Sequence, residues 1–309
     1  MSKILVVGSS NLDLIVRMDR FPKGGETLEG DSFFQALGGK GANQALAAHR
    51  TGGNVIFITS LGNDNNGNNA LMYYKNEGLD VSMSLVTDNE TTGTAMIWVD
   101  RKGENSIVII PGANKLLSSE YILSKQDVIE KADTIVLQME IPYETVKTIC
   151  KLASKNGKKV ILNVAPAHKI EEEVLKSVYI LVVNENEAEV IVGEKIDKVG
   201  EEYIIEKLLL KGAENVILTM GKKGCLFKNK DEMLSIPAFN VKAKDTTAAG
   251  DTFCGALATG ISKNRNMKSI LQFASAAAAI CVTRLGAQPS IPSEKEIIEF
   301  LKNENISIN

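Results

Sequence analysis

Short apolar runs rich in β-branched residues recur along the chain: Ile4 to Val7, Val55 to Thr59, Thr134 to Leu137, Val160 to Leu162, Tyr179 to Val183 and Val216 to Thr219. Runs that are apolar on consecutive rather than alternate positions predict strands buried on both faces, as in a parallel sheet. Between them the period changes to that of a helix. Glu144 to Asn156 places Val146, Ile149, Cys150 and Ala153 on one face, with Gly157 positioned to end it. Glu201 to Lys211 gathers Ile204, Ile205, Leu208 and Leu209 ahead of Gly212. This alternation predicts an α/β fold: a doubly wound, mainly parallel sheet flanked by helices.

Two stretches break the rhythm. Leu14 to Leu37 and Gly93 to Ile110 are β-rich without an intervening helix, and Asp100 to Asn105 reads as a hairpin turn between Thr94–Val99 and Ser106–Ile110. They predict a small separate sheet, a lid built from about 14–37 and 93–110. Met96, Trp98, Ile107 and Ile109 put apolar residues on both its faces, which points to a partner copy. Gly224 to Val241 reads as a meander within the main sheet. No linker, repeat or low-complexity segment divides the chain, so residues 1–309 read as a single domain carrying that lid.

Composition narrows the classes. Of 309 residues, 44% are hydrophobic and 24% charged, enough for a large core under a solvated surface. A net charge of −3 with scattered basic residues argues against a nucleic-acid partner. No apolar run approaches a membrane span, and Ile4 to Val7 is too short for a signal-peptide core, so a cytoplasmic location without membrane association is expected. Cys150, Cys225, Cys254 and Cys281 are widely spaced and read as buried thiols.

In an open α/β sheet ligands bind beyond the carboxyl ends of the strands. Polar groups collect there: Gly8-Ser9-Ser10-Asn11-Leu12-Asp13, Gln138-Met139-Glu140, Asn163, Asn184 to Glu187, and Thr219-Met220-Gly221. Gly38-Gly39-Lys40-Gly41-Ala42-Asn43 precedes an Ala-rich helical stretch, Gln44 to Arg50. It has neither P-loop nor dinucleotide spacing, and by itself means a tight turn or a backbone close to a ligand. Asp245-Thr246-Thr247-Ala248-Ala249-Gly250-Asp251-Thr252-Phe253 leads into a predicted helix over Phe253 to Ile261. Small residues at a helix N-terminus make an anion site. Asp251 there reads either as a plain N-cap or as a base beside a phosphate cradle, the pairing that phosphoryl transfer to an alcohol requires.

These segments together resemble the ribokinase-like carbohydrate kinase family over nearly the whole chain. The resemblance rests on Gly38 to Ala45, on Asp245 to Phe253, on the N-x-x-E pattern of Asn184 and Glu187, and on Arg284-Leu285-Gly286-Ala287-Gln288-Pro289-Ser290. It implies transfer of the γ-phosphate of ATP to the 5-hydroxyl of D-ribose, with Asp251 as base and Ala248, Ala249 and Gly250 as the anion hole. The implied sugar set is Asn11, Asp13, Gly38, Gly39, Lys40, Asn43 and Glu140, joined by Asp251. The implied ATP set is Asn184, Thr219, Met220, Gly221, Lys222, Lys223, Gly224, Gly250 and Ser275. Glu187 would organise Mg²⁺ through water. Asp245, Thr247, Cys281, Arg284, Gly286 and Ser290 match a K⁺ site, partly through backbone carbonyls. The lid would cover the sugar and form a homodimer interface. Ala249 stands where the family usually has Gly.

Competing readings are a kinase for 2-deoxyribose or a nucleoside on the same fold, and a non-catalytic sugar or nucleotide sensor. Asn11 favours ribose, because an amide can bond a 2-hydroxyl. The sensor would lack the base or the small residues, and Asp251 and Gly250 are both present. A dinucleotide-dependent oxidoreductase lacks its fingerprint after the first strand.

Overall fold

In the computed structural model, which describes residues 2–308, the strands are β1 (Lys3–Val7), β2 (Asn11–Arg17), β3 (Ser32–Gly38), β4 (Asn54–Ile58), β5 (Ser60–Gly62), β6 (Leu85–Thr87), β7 (Gly93–Val99), β8 (Asn105–Ile110), β9 (Thr134–Leu137), β10 (Lys159–Asn163), β11 (Ile180–Asn184), β12 (Asn215–Thr219), β13 (Cys225–Lys228) and β14 (Met233–Ile236). The helices are α1 (Lys40–Arg50), α2 (Asn65–Asn76), α3 (Ser119–Leu123), α4 (Gln126–Lys131), α5 (Tyr143–Lys155), α6 (Glu172–Leu175), α7 (Glu185–Val192), α8 (Ile196–Val199), α9 (Glu201–Leu210), α10 (Ala249–Ser262), α11 (Met267–Val282) and α12 (Glu294–Asn303).

The predicted buried runs form one eight-stranded sheet in the order β14-β13-β12-β11-β10-β9-β1-β4. It is parallel from β4 to β12, with β13 and β14 added antiparallel. Successive strand residues serve opposite faces: Ile4 and Val6 enter one core, Leu5 and Val7 the other. That double burial is why these strands are apolar at every position. Helices α1, α2, α10, α11 and α12 pack on the first face, and α5, α7 and α9 on the second.

The two β-rich stretches form a four-stranded sheet, β3-β2-β7-β8. It departs from expectation at its start. The polar run Gly8 to Asp13 reads as a loop beyond β1, but Asn11 already pairs with Gly38 and Gly93, so Asn11 and Asp13 belong to the small sheet. Only Gly8 to Ser10 bridges the sheets.

Two other expectations change, and one helix has no sequence signal of its own. Helix α1 starts at Lys40, not Gln44. Gly41 lies inside its first turn because a Cβ there would stand 2.4 Å from the Gly8 carbonyl carbon, so only glycine lets the helix rest on the β1–β2 link. The expected meander over Gly224 to Val241 is a hairpin ending at Ile236, followed by Pro237, which has no N–H for a further ladder bond. Helix α2 arises from an asparagine-rich stretch without a strong pattern. Asp64 caps it by accepting from the Gly67 N–H at 2.8 Å, and Ala70 and Tyr74 anchor it in the core.

Candidate active site

The chain leaves β1 towards β4 on one side and later fills β9 on the other, so the strand order reverses between β1 and β9. Open α/β sheets bind ligands at such a crevice. The loops after these two strands meet there. Glu140 Oε2 accepts from Ser9 Oγ at 2.5 Å and from the Lys40 N–H at 3.0 Å, and so caps the positive end of α1.

The small sheet brings Asn11 and Asp13 to this crevice from above. Two residues apart on β2, they share a face. Asp13 lies over Gly38, where a Cβ would stand 2.1 Å from its Oδ2. Asn114 orients Asn11: its Nδ2 donates to Asn11 Oδ1 at 2.8 Å, while its Oδ1 accepts from the Ser10 N–H at 2.9 Å. This leaves the Asn11 NH₂ as a donor for a ligand.

Helix α10 supplies Asp251 from its first turn. The N-cap position belongs to Ala248, with φ of 59°, and no side chain caps the helix. The plain N-cap reading of Asp251 is therefore wrong. Its carboxylate turns inward, accepting from Asn43 Nδ2 at 2.9 Å through Oδ2 and from Gln44 Nε2 at 2.9 Å through Oδ1. Because a carboxylate only accepts, Asn43 must present its NH₂ to Asp251, and its own Oδ1 is left buried with no partner. Such an acceptor is costly unless a hydroxyl meets it. Of the small residues, Ala249 has its N–H engaged by Thr246 O at 3.3 Å. The space beside Gly250 is open, with nothing within 4 Å of where a Cβ would lie.

Charge is concentrated here. Burial, then Glu140 and Asp251, push the Asp13 carboxyl up to about 7, against the pull of Lys40. Burial works to lower the Lys40 ammonium, but Asp251, Glu140 and Glu187 outweigh it and leave it raised. The crevice is thus a cluster of carboxylates around one partly buried cation, suited to holding hydroxyls and meeting a phosphate.

The residues read as an ATP set lie along the far side. Asn184 ends β11, Thr219 ends β12, and Gly221–Lys223 is a 3₁₀ turn after it. Met220 and Gly224 flank that turn, Lys222 is exposed, and Lys223 pairs with Glu201 at 3.1 Å. Ser275 on α11 approaches Cys225 at 3.8 Å. The N-x-x-E pair also has a structural role. Asn184 and Glu187 form a capping box on α7, with Asn184 Oδ1 accepting from the Glu187 N–H at 2.9 Å and Glu187 Oε2 accepting from the Asn184 N–H at 2.8 Å. Burial raises the Glu187 carboxyl despite that bond and Lys40. Its Oε1 keeps an oxygen ligand of the kind Mg²⁺ takes alongside several waters. No group of three or more His, Cys, Asp or Glu side chains suited to a metal occurs among the described residues.

The residues read as a K⁺ set also converge. Asp245 accepts from Thr247 Oγ1 at 2.6 Å, the Thr247 N–H at 2.9 Å and the Gly286 N–H at 2.9 Å. Cys281 Sγ lies 3.0 Å from Ser290 Oγ and 3.6 Å from Thr247 O. Arg284 does not join by its side chain, which reaches Glu296 at 2.5 Å, so only its backbone is available. The set is dominated by oxygens, the chemistry of a hard cation.

The family model described as pfkB family carbohydrate kinase matches residues 1–294. The chain belongs to the pfkB family of carbohydrate kinases. Among its relatives is a ribokinase of Haemophilus influenzae, 39% identical over 97% of this chain and 98% of that one. A deoxyribokinase of Salmonella typhi is 36% identical over 96% and 98%. The structure of Arabidopsis thaliana ribokinase complexed with ribose and ATP superposes with a TM-score of 0.89, at 31% identity, over 98% of this chain and 99% of that one.

Sequence reasoning missed Gln44 and Asn114 as site residues. Gln44 lies inside the Gly38 to Ala45 segment that carries the resemblance, which by itself assigns it no role. Asn114 sits in a 3₁₀ turn over Gly112–Leu116 with no motif around it, and only the fold brings it to Ser10 and Asn11.

Proposed function

We propose that the chain transfers the γ-phosphate of ATP to the 5-hydroxyl of D-ribose, giving D-ribose 5-phosphate and ADP. The observation that carries the reading is the inward-turned Asp251 carboxylate at the open N-terminus of α10, in the switch-point crevice beneath Asn11 and Asp13. Asp13 and Asn11 bind the ring hydroxyls, with Gly38, Gly39, Lys40, Asn43 and Glu140 completing the pocket. Asp251 takes the proton of the 5-hydroxyl as that oxygen attacks the γ-phosphorus, and the bond to the β-phosphate oxygen breaks. The first-turn N–H groups around Ala248, Ala249 and Gly250 stabilise the transferring charge. Asn184, Thr219 to Gly224 and Ser275 hold the nucleotide. Glu187 would hold Mg²⁺ through water, and the ion would neutralise phosphate charge. The Asp245 to Ser290 set would take K⁺. The chain acts as one domain in the cytoplasm, its small sheet a lid over the sugar and the contact of a homodimer.

A second reading has an observation in its favour: the Salmonella typhi relative named deoxyribokinase is nearly as similar as the ribokinase. Asn11, oriented by Asn114 with its NH₂ outward, supports ribose, since a site built for a 2-hydroxyl rejects the analogue lacking it. An ADP-release assay run in parallel on ribose, 2-deoxyribose, fructose 6-phosphate and adenosine decides. Ribose should give the highest kcat/KM; an equal or higher value for 2-deoxyribose transfers the assignment to the deoxysugar.

A further inference from the structure

Gln44 lies one residue beyond Asn43, and its buried amide is fully engaged. Its Nε2 donates to Asp251 Oδ1 at 2.9 Å and to Asn163 Oδ1 at 3.0 Å, and its Oε1 accepts from Gln138 Nε2 at 2.7 Å. Asn163 closes the chain by donating to Val182 O at 3.3 Å. All of these side chains are buried. The direction of every bond follows from Asp251. An ionised carboxylate only accepts, so Gln44 must offer its NH₂, which turns its Oε1 to Gln138, which must in turn offer its own NH₂. Gln138 Oε1 is thereby stranded, buried without a partner. It also lies where a Cβ on Gly8 would approach to 2.0 Å. A chain selected for stability alone would not leave that acceptor unpaired, because its desolvation is uncompensated.

We propose that Gln44 is a positioning residue for the Asp251 base: it holds the carboxylate in one orientation, and Gln138 and Asn163 lock Gln44 in turn. The inference rests on Asp251 being the base. Other charged or titratable groups also bear on Asp251, namely Lys40 on α1, Asp13 on the small sheet, Glu187 on α7, Cys254 on its own helix and Cys281 on α11. Gln44 differs from them in touching a carboxylate oxygen directly.

The test is kcat against pH for Gln44→Glu, Gln44→Met and Gln138→Met, with ribose KM and melting temperature measured on each. Gln44→Glu sets a carboxylate against Asp251, so kcat should fall and the acid limb of the profile should move up by about one unit or more, with ribose KM little changed. Gln44→Met removes the donor and should lower kcat. Gln138→Met frees Gln44 without touching Asp251 and should produce a smaller change in the same direction, which keeps the proposal testable if the Gln44 variants fail to fold. Added to Asp251→Asn, Gln44→Met should cost no further kcat. Lower melting temperatures with unchanged kcat and pH profile, or a full additional loss on the Asp251→Asn background, overturn the proposal. A near-normal kcat for Asp251→Asn alone instead removes the base assignment itself.

Discussion

At the residue scale, Asp251 carries the largest expectation. Asp251→Asn keeps the shape but cannot take the hydroxyl proton, so kcat should fall by roughly 10²–10⁴ with ribose and ATP binding largely kept. Asn43 can rotate to meet the new amide with its stranded Oδ1, so the fold should survive. Stopped-assay kcat with calorimetric Kd values checks this, and a variant with near-normal kcat sinks it. Asp13 offers a pH test. Its carboxyl sits at about 7, raised by burial and by Glu140 and Asp251. Hydroxyls donate to the ionised form, so ribose should bind most tightly above pH 7 and lose about tenfold in affinity per unit below it, with proton release on binding. The sign reverses for the free protein. A raised carboxyl favours the protonated fold, so this contribution is complete below the usual carboxylate range and is lost as pH rises through about 7. Asp13→Asn should flatten both dependences; titration calorimetry in buffers of different ionisation enthalpy reads the protons directly.

At the element scale, helix termini carry the chemistry. α1 and α10 bring their first turns together, one supplying Lys40, Asn43 and Gln44 and the other Asp251. The segment before α10 and the loop after α11 form the oxygen-rich set around Asp245. Burial opposes the charge of Asp245, but the Thr247 hydroxyl and the Gly286 and Thr247 N–H groups outweigh it and hold its carboxyl below the ordinary range. An ionised carboxylate this near α10 invites a cation that orders the loop. Potassium added to a Tris assay free of alkali cations should raise the rate, and Asp245→Asn should hold it near the potassium-free value. Equal rates of the unmodified protein with and without potassium rule the site out. The capping box at Asn184 and Glu187 shows why the element level was only partly legible. The same spacing serves helix initiation and ligand binding, and sequence alone does not separate them.

At the scale of the whole molecule, the small sheet presents an exposed apolar face. Cross-strand register sets Phe33, Val16 and Trp98 in one row and Leu14, Met96 and Val108 in the next, all on the face away from Asn11 and Asp13. Phe33, Met96 and Val108 are 59%, 45% and 57% exposed, so the face carries a contiguous apolar patch of the kind that partner contacts cover. The chain should sediment as a dimer at micromolar concentration, and Trp98→Lys should shift it to monomer. A monomeric unmodified protein removes the interface.

The sequence by itself determined the class of the main sheet, the bounds of its parallel strands and of helices α5 and α9 to within a residue or two, and the two motifs that hold Asp251 and Asn43. These are local matters. Consecutive apolar positions mean double burial, a period of three to four means a helix face, and small residues before a helix mean an exposed first turn. Tertiary structure decided the rest. It moved Asn11 and Asp13 from a loop into β2, because the partners of Asn11 (Gly38 and Gly93) and of Asp13 (Ala36 and Ala95) are distant in the chain. It drew Gly41 into a helix because the Gly8 backbone leaves no room for a Cβ. It turned Asp251 from a possible cap into a carboxylate held by Asn43 and Gln44, more than two hundred residues away, at 2.9 Å each. Contacts of that range depend on which faces pack together, and the pattern of a single element does not carry them.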